Sequence, residues 1–312
     1  MSKKGILLLN LGSPEALTVP AVREYLNEFL MDGRVIDVPY LPRRLLVSLI
    51  LLRRPAVKVE EYSSVWTDEG SPLIVTSRKV QAALQERFEF PVELAMNYAK
   101  PTIAGALERL QNAGVTDLFI MPLYPHYAMS SYETVVVKTM SQIRERGHPF
   151  RTTLLKPFYA DPDYIDALHE VSRPDLESGF DHLLFTFHGV PERHLRKSDP
   201  SHEHCMSTPD CCATCHPAHA TCYRHQCLRT AGEFVKKANI PEDKYSVAFQ
   251  SRLGRDPWLE PYTDKTLESY GKKGFGKLLI ISPSFVADCL ETLEEIGIGG
   301  AEAYKDAGGG DY

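Results

Sequence analysis

The chain has 312 residues, of which 43% are hydrophobic and 24% charged, with a formal net charge of −6. That length accommodates two cores of ordinary size, and the balance excludes both a disordered chain and a disulfide-stapled miniprotein. The acidic surplus argues against a nucleic-acid partner.

Read from the N-terminus, Met1-Ser2-Lys3-Lys4-Gly5 leads into a short apolar run that stops at Gly12-Ser13-Pro14, with no signal-peptide core, so a cytoplasmic protein is expected. Short apolar runs then alternate with helix-length amphipathic segments, the α/β pattern. Strands are expected over 5–11, 35–38, 92–96 and 117–122, then over 152–156, 182–187, 245–250 and 277–282. Helices are expected over 19–30, 77–88, 102–113, 131–146, 162–170, 221–238 and 287–296. Four strands followed by four more imply two similar Rossmann-like domains, each a four-stranded parallel sheet flanked by helices, spanning 1–158 and 159–312.

Between the first helix and the second half of domain one lies Leu45-Leu46-Val47-Ser48-Leu49-Ile50-Leu51-Leu52, bracketed by Arg43-Arg44 and Arg53-Arg54. Eight residues cannot span a bilayer. The segment suits either a core helix with solvated ends or a surface that dips into lipid headgroups.

Open α/β sheets bind ligands beyond the carboxyl ends of their strands, and here those ends carry unusual side chains. His188 follows Leu183-Leu184-Phe185-Thr186-Phe187 directly, where a strand stops and a loop lines a cleft. Asp288, Glu291 and Glu295 are spaced i, i+3 and i+7, which on an α-helix puts three carboxylates on one face. A solvated acidic face is the plainer account of that spacing. No phosphate-binding glycine loop is present. Six of the seven cysteines, Cys205, Cys211, Cys212, Cys215, Cys222 and Cys227, fall in one stretch, which in a reducing compartment reads as a metal or iron-sulfur site sooner than as disulfides.

Taken together, six ordered motifs resemble the ferrochelatases, enzymes that insert ferrous iron into a porphyrin in the last step of haem synthesis. They are Gly5-Ile6-Leu7-Leu8-Leu9-Asn10-Leu11-Gly12-Ser13-Pro14, Gly70-Ser71-Pro72-Leu73, Pro122-Leu123-Tyr124-Pro125, Phe187-His188-Gly189-Val190-Pro191, Gln250-Ser251-Arg252-Leu253-Gly254 with Pro257-Trp258-Leu259, and Asp288-Cys289-Leu290-Glu291-Thr292-Leu293-Glu294-Glu295. The resemblance implies a chelatase-like pair of Rossmann-like domains with the porphyrin cleft between them. It makes His188 and Glu291 the catalytic pair and contacts of the substrate Fe²⁺, and Leu11, Tyr98, Tyr124, Asp288 and Glu295 substrate-binding candidates. It also makes 45–52 a pocket lip that touches the inner face of a membrane peripherally. Protoporphyrin IX is the expected porphyrin. A coproporphyrin chelatase, a related metal chelatase or a non-catalytic porphyrin or iron-sulfur binding protein stays open. Two departures stand out: Cys289-Leu290-Glu291 replaces a His-Ile-Glu of animal enzymes, and the family usually continues beyond Tyr312.

The residues at about 201–222 form an insert relative to the common bacterial form. It resembles the internal cysteine segment of the subset that carries a two-iron two-sulfur cluster. Cys205, Cys212, Cys215 and Cys222 are then the expected ligands of a 2Fe-2S cofactor, with a zinc site using cysteines with His204, His216 or His219, or unligated thiols, as the alternatives. Iron insertion needs no electron transfer, so the cluster is expected to clamp or to sense.

Overall fold

A computed structural model describes residues 2–254 and 256–312. The chain divides into two units: unit 1 is Met1–Tyr124, Met129–Lys156 and Ala287–Leu290, and unit 2 is Pro125–Ala128, Pro157–Val286 and Glu291–Tyr312.

Unit 1 holds a parallel sheet of β1 (Lys4–Asn10), β2 (Val92–Met96), β3 (Asp117–Pro122) and β4 (Arg151–Leu154), in the order β2-β1-β3-β4. The central strand is a run of Gly, Ile and Leu buried on both faces, as a parallel strand covered by helices requires. Its helices are α1 (Val19–Leu30), α2 (Tyr40–Ser63), α3 (Pro72–Arg87), α4 (Ile103–Asn112) and α5 (Thr134–Glu145), the last continuing a π-turn at Met129–Glu133. Thr18 and Thr102 cap α1 and α4 through their hydroxyls, with proline beginning α1. Gly12 lets the chain turn after β1: its φ is +107°, and a Cβ there would stand 2.0 Å from the Tyr98 carbonyl oxygen.

Unit 2 holds β5 (His182–His188), β6 (Tyr245–Gln250) and β7 (Leu278–Ile281) in the order β6-β5-β7, all parallel. Around them lie α6 (Pro162–Glu177), α7 (Glu192–Ser198), α8 (Tyr223–Ala238), α9 (Thr263–Lys273), a π-helix at Glu291–Gly300 and α10 (Ala301–Asp306). Phe185, Phe187, Phe234 and Leu183 form the heart of its largest core.

Three expectations change. The sheets have four and three strands rather than four and four, because the strand expected over 152–156 pairs with β3 in unit 1. Residues 35–38 make turns instead of a strand, and the Ile36 and Val38 carbonyls accept from Arg43 Nη1 at 3.2 Å each rather than from a neighbouring strand. The segment over 287–296 begins as loop and becomes a π-helix only at Glu291. In addition, the stretch containing 45–52 belongs to the 24-residue helix α2.

Candidate active site and cysteine insert

His188 closes β5 at its carboxyl end and is the only half-buried residue of an otherwise buried strand. Its Nδ1 lies 2.6 Å from the Gly189 carbonyl oxygen, so Nδ1–H donates there and Nε2 keeps its lone pair. The backbone N–H donates to Ser284 Oγ at 3.4 Å, and Phe285 stands with its ring 6.4 Å from the imidazole. Gly189 is required by close approach: its N–H donates to the Gln250 carbonyl at 2.8 Å, and a Cβ would meet the same oxygen at 2.8 Å.

β6 runs beside β5 with Gln250 opposite His188. Gln250 is buried, accepts from Thr186 Oγ1 at 2.8 Å and donates through Nε2 to the Glu291 carbonyl at 3.2 Å. Glu291, the first residue of the π-helix, is thereby tied by its backbone to the strand pair that ends in His188. Among the described residues its carboxylate has no hydrogen-bond or ion-pair partner. One turn on, Glu295 is engaged: it accepts from Ser251 N at 2.8 Å and from Ser251 Oγ at 2.5 Å. The α-helical face expected for three carboxylates is therefore not formed. Asp288 is exposed and precedes the helix, and a π-helix closes i→i+5 rather than i→i+4.

Unit 1 carries the other expected residues. Leu11 is half-buried after β1, and its carbonyl accepts from Tyr98 N at 2.9 Å. Tyr98 is 1% exposed; its hydroxyl donates to Asp32 Oδ2 at 2.8 Å. Burial first, and the Asp32 charge second, push that hydroxyl far above the ordinary tyrosine value. Tyr124 has a buried hydroxyl with no partner among the described residues, and burial likewise raises it far above its ordinary value.

In the insert, Asp199 organises the turn that follows α7. It accepts from the backbone N–H of Ser201, His204 and Cys205 and from the Ser201 hydroxyl, at 2.7–2.9 Å. Burial alone would raise this carboxyl; the donors outweigh it and hold the group well below the usual carboxylate range. Cys205 is presented by this turn and Cys222 precedes α8, both buried. Hydrogen bonds connect Cys222 to Cys212 and Cys205, and Cys211 is close enough for its charge to act on both Cys205 and Cys212. The hydrogen bond with Cys212, helped by the His225 backbone N–H, draws Cys222 below the ordinary thiol value against the effect of burial. The same bond drives Cys212 up, and burial drives Cys205 up. The group thus favours one thiolate shared among three sulfurs. Cys211 is buried, with Arg224 Nη1 3.9 Å from its sulfur, whereas Cys215 is exposed.

Four histidines stack beside the thiols: His204 on His216 at 3.9 Å and His219 on His225 at 3.7 Å between ring centroids. His204 Nε2 and His219 Nε2 are 3.1 Å apart. Among the described residues, no three or more His, Cys, Asp or Glu side chains are arranged as a ready-made metal cage. No disulfide joins the described cysteines.

Sequence reasoning singled out His188, Glu291 and the cysteine stretch but gave no role to Gln250, Ser251, Ser284, Asp199 or Cys211. The available signal was Gln250-Ser251, polar residues at the end of an apolar strand.

A model of the ferrochelatase family matches residues 3–312. The ferrochelatase of Pseudomonas entomophila (strain L48) is 52% identical over 311 residues, covering 99% of this chain and 92% of that protein. That of Stutzerimonas stutzeri (strain A1501) is 50% identical over 311 residues, with coverage of 99% and 91%. A match along the whole chain, at half identity, to proteins of that one name shows that the chain belongs to the ferrochelatase family.

Proposed function

We propose that this protein inserts ferrous iron into protoporphyrin IX to give protohaem, and that His188 and Glu291 carry the reaction. Two pyrrole N–H protons must leave as Fe²⁺ enters, so two proton acceptors are needed at the macrocycle. The tautomer of His188 supports the first: with Nδ1–H committed to the Gly189 carbonyl, Nε2 presents a lone pair that accepts a pyrrole proton. The unengaged Glu291 carboxylate supports the second, taking the other proton or handing over the metal as its charge is neutralised. The observation that carries the assignment is the tie from β5 through Gln250 to Glu291, which joins the two groups within unit 2. The unpartnered Tyr124 hydroxyl is the kind of buried polar atom that a bound molecule satisfies, and it supports the substrate-binding reading of that tyrosine.

Two finer readings belong with this one. The donor chemistry of the insert suits a 2Fe-2S cluster: Cys222 hydrogen-bonds to both Cys205 and Cys212, and Cys211 is buried beside them. The ligands we propose are Cys205, Cys212 and Cys222 with Cys211, since exposed Cys215 lies outside the group. Such a cluster would fasten the insert to α8; no step of iron insertion passes through it. Peripheral membrane contact through α2 is supported by its exposed Leu45, Leu49 and Leu52 beside Arg53 and Arg54. No described helix is long and apolar enough to cross a membrane.

The decisive experiment mixes the purified protein anaerobically with Fe²⁺ and protoporphyrin and follows haem absorbance. His188→Ala and Glu291→Gln are each expected to lower turnover by about 100-fold or more while far-UV circular dichroism is unchanged. Wild-type activity in either variant would overturn its role, and no haem above the enzyme-free control would overturn the enzyme reading.

A further inference from the structure

The π-helix that begins at Glu291 is weakly specified by its own sequence. Glu291-Thr292-Leu293-Glu294-Glu295-Ile296-Gly297-Ile298-Gly299-Gly300 contains three glycines, each costing about 1 kcal/mol relative to alanine in a helix. Its packing is partial: Ile296 and Gly300 are buried, Gly300 beside Tyr312 and Leu267. A cavity of about 310 Å³ is bordered by Glu295, Ile296, Gly299 and Gly300 on one side and by Gln250, Ser251 and other residues on the other. Where propensity is weak and packing partial, hydrogen bonds to neighbouring elements help to fix an element.

Two attachments hold its start to the end of β6; further along, the Tyr312 hydroxyl donates to the Ile296 carbonyl at 2.6 Å. The first is a buried chain from Thr263 Oγ1 to Thr186 Oγ1 at 2.9 Å, on to Gln250 Oε1 at 2.8 Å, and from Gln250 Nε2 to the Glu291 carbonyl at 3.2 Å. The second is the two-pronged acceptance of Ser251 N and Oγ by Glu295. Ser251 has φ +65°, a left-handed conformation that a non-glycine residue adopts at a cost of order 1 kcal/mol. That conformation aims both of its donors at one carboxylate, which is what compensates the strain. Both attachments spring from consecutive residues, Gln250 and Ser251, at the end of β6, and Gln250 stands opposite His188.

We infer that Gln250 and Glu295 are positioning residues for iron insertion: together they fix the start of the π-helix against the end of β6 and so set where the Glu291 carboxylate stands relative to His188. Glu295 serves the reaction as a clasp through Ser251 and not as a carboxylate that handles iron. This inference rests on the assignment of Glu291 and His188 above.

The test separates kcat from the KM for Fe²⁺ in steady-state insertion assays. Glu295→Ala, Ser251→Ala and Gln250→Leu are each expected to lower kcat about three- to tenfold, the value of one or two hydrogen bonds, with the KM for Fe²⁺ within twofold of wild type. Ser251→Ala combined with Glu295→Ala is expected to be no worse than Glu295→Ala alone, because both remove the same clasp. A Glu295→Ala enzyme with a raised KM for Fe²⁺ and normal kcat, beside a fully active Ser251→Ala enzyme, would make Glu295 an iron ligand and overturn the inference. So would additive losses in the double variant. Since Ser251 is only half-buried, its variant keeps the test readable even where Gln250→Leu fails to fold. Failure of the underlying assignment reads differently: Glu291→Gln would then be as active as wild type.

Discussion

One carbonyl decides which nitrogen of His188 is available. A histidine at a strand end is usually a satisfied structural group, and only the 2.6 Å approach of Gly189 O to Nδ1 shows that Nε2 is the free one. Similar local decisions divide the cysteines. Their number and spacing were legible in the sequence, but not which of the adjacent Cys211 and Cys212 turns inward, because that depends on the local turns in which Cys211 N–H donates to the Thr208 carbonyl and Ala213 N–H to that of Asp210. Both turn inward: Cys211 is buried and Cys212 hydrogen-bonds to Cys222. In anaerobically purified protein we expect about two irons and two acid-labile sulfides per chain. Cys205→Ser, Cys211→Ser, Cys212→Ser and Cys222→Ser should each lose most of both, while Cys215→Ser keeps them. Zinc without sulfide would defeat the cluster reading, and loss of iron from Cys215→Ser would restore Cys215 as a ligand.

At the scale of elements, legibility followed whether a pattern needs its neighbours. β1 and β5 were plain because a run of buried Leu, Ile or Phe has one use in a parallel sheet. The π-helix was not: Asp288, Glu291 and Glu295 have the spacing of one α-helical face, and nothing in that spacing announces the wider i→i+5 turn. The short apolar run over 35–38 misled for another reason: Arg43, on α2, takes the carbonyls that a strand would have offered to a partner. On α2 itself the periodicity is split, with Val47, Leu51 and Tyr62 buried and Leu45, Leu49 and Leu52 exposed by 65%, 59% and 69%. Moving each of these leucines from water into the headgroup boundary gains about 1 to 2 kcal/mol, and Arg53 and Arg54 add attraction to anionic lipid. The protein is therefore expected to co-sediment with vesicles containing anionic lipid. Replacing Leu45, Leu49 and Leu52 together with serine should weaken partitioning at least tenfold without changing insertion in detergent. Equal sedimentation of the triple variant would remove α2 from the membrane.

At the scale of the whole molecule, the two units differ in how they meet acid. His126, in unit 2, is 2% exposed among Phe187, Tyr223 and Thr230. Thr230 Oγ1 already donates to the Tyr159 carbonyl at 2.6 Å, so it accepts from His126 Nε2–H at 2.8 Å and leaves Nδ1 buried with no group among the described residues to receive a second N–H. Burial accordingly lowers His126 from 6.5 to about 3. His182, also in unit 2, is lowered by burial and then by Lys273 and Lys244. In unit 1 the lowered histidine is the half-buried His148, in the loop before β4. A group whose folded value is depressed contributes stability that is complete above the unfolded value and lost as pH falls toward the folded one. For His126 that window runs from 6.5 down to about 3, and at pH 5 the loss is already about 2 kcal/mol. Unit 2 should therefore unfold at higher pH than unit 1. The two tryptophans report this separately, since Trp66 lies in unit 1 and Trp258 in unit 2. On acidification, fluorescence of the Trp66→Phe protein should change at least half a pH unit before that of the Trp258→Phe protein. Replacing His126 with glutamine should flatten the pH dependence of unit 2 stability between pH 6.5 and 4, because the residue that takes up a proton on unfolding is gone. Coincident transitions with an unchanged slope would mean that His126 is not the group that makes unit 2 acid-labile.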